Sequence, residues 1–211
     1  MVNHEEARRT MIDSQIRTVG VMDVAVLGAM NSVPRENFVP PAMHGLAYAD
    51  AALEVAPGRW LLEPLVLALL LEKSRIAAGD RILVIGAATG YSAAVAAHIG
   101  ALATALESDP ALAAAARAAG LATAEGPLAA GWPAAAPYDI ILFEGAIETL
   151  PPAISAQLAP GGRIAAIVRT GGVGHAHCGP VTADGRIAGL AFLEVAAKPL
   201  PGFAIAREFA F

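Results

Sequence analysis

Residues 81–110 read RILVIGAATGYSAAVAAHIGALATALESDP, and this stretch decides the fold. Its first five residues, RILVI, are a short apolar run set between the turn Gly79-Asp80 and Gly86, the pattern of a strand buried on both faces. Gly86-Ala87-Ala88-Thr89-Gly90 is a loop of small residues. Residues 91–99 predict a helix and 102–106 a second strand. Asp109-Pro110 then supplies the cap and first-turn proline of a further helix. The 25 residues between Arg81 and Glu107 contain no Asp, Glu, Lys or Arg. A helix of that length would cross the roughly 30 Å core of a bilayer. The interior Gly86, Thr89, Gly90, Ser92, His98, Gly100 and Thr104 argue instead for strand, loop, helix and strand.

Further along the chain the same alternation continues. Residues 121–125, DIILF (139–143) and RIAAIV (163–168) predict strands, and 151–158 a short helix, with Gly161-Gly162 as a turn. Strands alternating with helices at this spacing define an α/β fold with a doubly wound, mostly parallel sheet. The turns Gly171-Gly172 and Asp184-Gly185 separate weaker strand patterns, which predict an antiparallel C-terminal edge. Toward the N-terminus, helices are expected over 5–17 and, capped by Asp23, from there to 32. Pro34, Pro40, Pro41 and Pro57 break the chain into loops and short extended pieces, and a third helix is expected over 61–75 with Pro64 in its first turn. The expected organisation is one domain over 1–211, with a helical cap over 1–60 and a Rossmann-like core over 61–211.

Composition narrows the function classes. Of 211 residues, 56% are hydrophobic and 16% charged, against about 25% charged in an average chain, which excludes a disordered protein. Cys178 is the sole cysteine, so no intramolecular disulfide framework exists. A net charge of −5 disfavours non-specific nucleic-acid binding, which draws on clustered Lys and Arg. The opening MVNHEEARRTMID holds no apolar run of the signal-peptide kind, so a cytoplasmic protein outside the membrane is expected. No sequence pattern assigns an oligomeric state.

In an open α/β sheet, ligands bind beyond the carboxyl ends of the strands. Gly86 to Gly90 follows the first such strand, and Glu107 lies 21 residues after Gly86 at the end of the second. A carboxylate there can accept both hydrogen bonds of a ribose diol. The loop spacing is G-x-x-x-G, not the G-x-G-x-x-G that cradles a pyrophosphate, which favours S-adenosylmethionine over a dinucleotide. Glu144, after DIILF, is a candidate general base at a strand end. Arg59 could pair with a carboxylate at a substrate mouth or form an exposed salt bridge. In His175-Ala176-His177-Cys178, strand alternation places at most two ligands on one face, short of the four of a structural zinc, so no metal is expected.

Several segments together resemble the protein-L-isoaspartate O-methyltransferase family. They are VPRENFVP (33–40), AYAD (47–50), ILVIGAATGYSAAVAA (82–97), ALESDPALAAAAR (105–117), AAGWPAAAPYDIILFEGA (129–146) and QLAPGGRI (157–164). The resemblance implies a cytosolic repair enzyme that uses S-adenosylmethionine to methylate abnormal aspartyl carboxyl groups of a protein or peptide. It implies that Gly86, Ala87, Ala88, Thr89 and Gly90 wrap the methionine moiety, Glu107 holds the ribose, and Gly126 and Pro127 flank the adenine. Asp50, Arg59, Trp60 and Leu62 are the implied substrate-pocket residues. The chain departs from the family pattern at Val84 and Pro127, where acidic residues are usual, at Ala88, usually glycine, and at Leu62, the position of the family serine. The resemblance therefore assigns no catalytic residue. Two alternatives stand beside the methyltransferase: a non-catalytic or altered-substrate member that binds S-adenosylmethionine, and a nucleotide-dependent oxidoreductase.

Overall fold

A computed structural model describes residues 3–205. Helix α1 (His4–Met11) starts at Asn3, whose side chain accepts the Glu6 N–H. The helical path continues through a π turn (Ile12–Ile16) and a 3-10 turn (Arg17–Val19), and stops at Gly20 with φ of 90°. The expected helix over 5–17 is thus helical throughout but changes pitch after Met11. Helix α2 (Val24–Ser32) begins where the Asp23 carboxylate accepts the N–H groups of Ala25 and Val26.

After two 3-10 turns come strands β1 (Leu53–Ala56) and β2 (Arg59–Leu61), an antiparallel pair. The expected helix over 61–75 is corrected here. Residues 59–61 pair with β1, and α3 (Pro64–Lys73) starts only at Pro64, which lacks an N–H and suits the first helical position. The hairpin lies on either side of residue 60, so the N-terminal part is not purely helical.

The main sheet contains β3 (Arg81–Ile85), β4 (Leu102–Glu107), β5 (Ala122–Glu125), β6 (Tyr138–Ile147), β7 (Leu158–Thr170), β8 (Val173–Gly179) and β9 (Leu193–Val195). Helices α4 (Tyr91–Ile99), α5 (Pro110–Ala118) and the short α6 (Pro152–Ser155) lie between them. The strand order is β5-β4-β3-β6-β7-β8-β9, parallel as far as β7 and antiparallel at the last two junctions. The order reverses at β3, which has β4 on one side and β6 on the other, and this opens the crevice where such sheets bind ligands.

The uncharged run is explained by burial on two faces. Ile82 and Val84 join the core that reaches α2 and α3, whereas Leu83 and Ile85 join a second core with Tyr138, Phe143 and Phe203. No helix among the described residues is long and apolar enough to cross a membrane. On β8, His175 and His177 line an open cleft while Cys178 packs against the first core, which follows the strand alternation.

Candidate active site

Glu107 ends β4 and is fully buried. One carboxylate oxygen accepts the N–H groups of Ser108 (2.7 Å) and Asp109 (3.1 Å). The other accepts the Ala88 N–H (2.8 Å) and a guanidinium N–H of Arg59. The loop folds over the strand end because Gly86 and Ala87 both donate to the Leu106 carbonyl, at 2.9 and 3.1 Å. That path requires positive φ at Gly86 (72°), Ala88 (50°) and Gly90 (100°). At Gly90 a side chain would also stand 2.4 Å from Leu121, so only glycine fits. Thr89 turns away and donates its hydroxyl to the Phe38 carbonyl at 2.6 Å. Gly126 N–H bonds the Glu107 carbonyl at 3.0 Å, which brings Gly126 and Pro127 to the same strand end.

Arg59 is not in an exposed salt bridge. It is 5% exposed, and its carboxylate partner is the protein's own Glu107. Its Nε and Nη1 atoms are buried without a hydrogen-bond partner. Glu144 also differs from a strand-end loop residue. It lies within β6 and is 2% exposed. One of its oxygens accepts the Leu62 N–H (2.8 Å), the other the Ser92 hydroxyl. Burial pushes its carboxyl pKa up, against the lowering effect of Ser92, Leu62, Arg35 and Arg59.

Arg35 and Ser92 escaped the sequence reading. The Arg35 guanidinium is fully buried, lies 4.7 Å from the Tyr91 ring centroid, and donates to the Leu62 carbonyl at 2.8 Å. Burial lowers its pKa, and burial also pushes the Tyr91 hydroxyl up to about 12. Leu62 is thus fixed through its backbone from both sides while its side chain offers no hydrogen bond. Trp60, Leu62, Glu63, Glu144 and Lys198 line a small recess of about 10 Å³. Lys198 Nζ stands 5.3 Å from the centroid of the Trp60 ring. Asp50 is exposed and lies near enough to Glu63 to raise its carboxyl pKa, though burial of Glu63 is the larger cause.

Glu144 sets a pH dependence. Its folded pKa is raised, so its contribution to stability is fully present below the unfolded value. That contribution falls as pH rises from there through the folded value. The expected slope from this one proton is at most about 1.4 kcal/mol per pH unit. Glu144→Gln keeps the shape and should flatten that part of a stability–pH curve measured by urea unfolding. An unchanged curve would assign the slope elsewhere.

A parallel sheet that reverses at β3, a glycine loop after that strand and a buried carboxylate ending the next are features of the S-adenosylmethionine-dependent methyltransferase class. The family model described as Protein-L-isoaspartate(D-aspartate) O-methyltransferase (PCMT) matches residues 6–178. A protein-L-isoaspartate O-methyltransferase of Methylorubrum extorquens (strain PA1) is 45% identical over 165 residues, covering 75% of this chain and 72% of the relative. One of Koribacter versatilis (strain Ellin345) is 38% identical over 164 residues, 74% of each chain. Among solved structures, a protein-L-isoaspartate O-methyltransferase superposes with TM-score 0.68 at 22% identity, covering 86% of this chain and 66% of that one. A Plasmodium falciparum structure assigned to the same enzyme, in complex with S-adenosyl-L-homocysteine, gives TM-score 0.71 at 15% identity, covering 85% and 90%. The chain belongs to the protein-L-isoaspartate(D-aspartate) O-methyltransferase family. The oxidoreductase alternative gains no support.

The residues at the crevice fit an adenosyl ligand in kind. A carboxylate ends β4, a loop with two positive-φ glycines permits close backbone approach, and Gly126 adjoins both. The space directly above Gly86 is held by the chain itself. A Cβ on Gly86 would meet Leu200 Cδ2 at 2.7 Å and Arg59 Nη2 at 3.1 Å.

Proposed function

We propose that the protein is an S-adenosylmethionine-dependent carboxyl O-methyltransferase, acting on isoaspartyl carboxylates of proteins or peptides. The match of residues 6–178 to the family carries this reading, and the buried Glu107 at the end of β4 supports it. Bound S-adenosylmethionine supplies an electrophilic methyl group on a cationic sulfur. Glu107 would hold the ribose, Gly86 to Gly90 the methionine moiety, and Gly126 and Pro127 the adenine edge.

The acceptor carboxylate is already a nucleophile, so alignment and exclusion of water supply most of the acceleration. It would sit at the mouth of the recess lined by Trp60 and Lys198, which is too small to take it whole. The Leu62 side chain cannot donate a hydrogen bond, and Lys198 is the cation at that recess able to pair with the incoming carboxylate. Glu144 has a donor on each oxygen, so its role in this reading is to hold the Leu62 backbone against β6. Removal of a proton from a carboxylate acceptor is not required.

The test is incubation with labelled S-adenosylmethionine and an isoaspartyl peptide beside its normal aspartyl twin. Base-labile label in the isoaspartyl peptide alone is the expected result. Cofactor binding without transfer to either peptide would overturn the isoaspartyl assignment and move the reading to a different acceptor, consistent with Leu62 at the family serine position.

A further inference from the structure

The C-terminal segment 198–203 crosses the mouth of the crevice. Ala146 N–H bonds the Lys198 carbonyl at 2.9 Å, and Leu200 N–H bonds the Ala146 carbonyl at 2.8 Å. Farther on, the Phe203 carbonyl accepts the N–H groups of Glu148 (3.0 Å) and Thr149 (3.2 Å). The Phe203 ring is fully buried and meets Phe143 edge to face at 5.3 Å. Between these anchors Leu200 inserts over the loop. Its side chain lies against both Gly86 and Gly145, where an added Cβ would stand 2.7 and 2.8 Å from it. Beside it, Arg59 reaches Glu107, the carboxylate best placed to receive a diol.

We propose that residues 199–203 form a strap, hinged at Lys198, which with Arg59 plugs the cofactor crevice, so that an adenosyl ligand enters only when Leu200 and the Arg59 guanidinium withdraw. The inference rests on the crevice being an adenosyl site. Leu200 is buried with the second core and lies in front of two glycines, so its release costs the burial of one side chain. One feature favours release. The Arg59 guanidinium leaves Nε and Nη1 buried without acceptors, an arrangement that disfavours the closed state relative to one with those groups hydrated. Closure also has a chemical use, because a crevice filled by Leu200 keeps water away from Gly86 and Glu107 until ligand arrives.

Withdrawal reduces ligand affinity by the free energy of docking the plug. Exposing one buried leucine side chain corresponds to about a ten- to hundredfold weakening. The test uses the full chain and S-adenosylhomocysteine as probe, with calorimetry and amide hydrogen exchange read together. Leu200→Ala should bind the probe at least tenfold more tightly than the unaltered protein. Saturating probe should also raise exchange at the Leu200 and Thr149 amides of the unaltered protein, while the β3 amides stay protected. Arg59→Gln, which keeps a donor toward Glu107, should tighten binding in the same direction and guards against a folding defect in one variant. Equal affinities with strap amides still protected would overturn the strap while keeping the adenosyl site. Absence of binding in all three proteins, with β3 amides protected, would overturn both.

Discussion

Glu107→Ala is expected to cost about 5 kcal/mol or more of folding stability, a third or more of the roughly 5–15 kcal/mol that a domain carries. Three backbone donors, Ala88, Ser108 and Asp109, lose their acceptor, and Arg59 loses its sole hydrogen-bond partner among the described residues. A buried pair broken from one side typically costs about 3–5 kcal/mol, and the orphaned Ala88 donor, in a fully buried residue, about 1–3 kcal/mol, whereas the N–H groups of exposed Ser108 and half-buried Asp109 can turn to water. The effect should be asymmetric. In Arg59→Met the carboxylate keeps its three backbone donors, so the loss should be clearly smaller than in Glu107→Ala. Urea unfolding of both variants checks this. A Glu107→Ala stability within about 1 kcal/mol of the unaltered protein, or a larger loss for Arg59→Met, would refute the network as drawn. The same residue is assigned to the ribose, so the stability measurement must precede any binding comparison.

How much of this was legible depended on the range of the forces involved. β3, α4, β4 and α5 were read nearly to the residue, because the apolar run, the flanking glycines and the Asp109 cap act locally. The same holds for α2 with Asp23. The hairpin β1–β2 was read only as short extended pieces, since strands of four and three residues are too short to show alternation. β6 runs on to Ile147 through Glu144-Gly145, residues that break an apolar pattern and fall at a register shift against β7; Glu144 is held there by Leu62 and Ser92, and Ala146 by β7 and the tail.

At the site, Glu107 and the glycine loop were found from their spacing along the chain. The burial of Arg59 was not, because its partner is 48 residues away and nothing near Gly58 announces a carboxylate. Arg35 and Ser92 were missed for a related reason: their partners are the backbone of Leu62 and the carboxylate of Glu144. Residues 200–203, Leu-Pro-Gly-Phe, look locally like a turn, and only the folded sheet turns them into a cover over Gly86.

Phe203→Ala separates a docked strap from a fixed part of the core. Truncating a buried phenylalanine removes about 3–5 kcal/mol. Were residues 199–203 inseparable from the sheet, the whole loss would fall on global stability, and every slowly exchanging amide would lose protection together. A strap that opens by itself behaves differently, because local opening has its own free energy, below the global one. Global stability can then fall only by the free energy with which the strap docks. The expected result is therefore confined. Amides of Leu200, Glu148 and Thr149, whose bonds tie the strap to the end of β6, should exchange at least about a hundredfold faster, the equivalent of about 2.8 kcal/mol. Amides of β3 and of the buried end of β4, residues 105–107, should change far less. Native-state hydrogen exchange with site resolution reads both sets in one experiment. A uniform loss across β3, β4 and the strap would make Phe203 an ordinary core residue and the closed crevice permanent. A confined loss would give the crevice an opening motion whose energy is set by Phe203 and Leu200, with Glu107 left in place beneath.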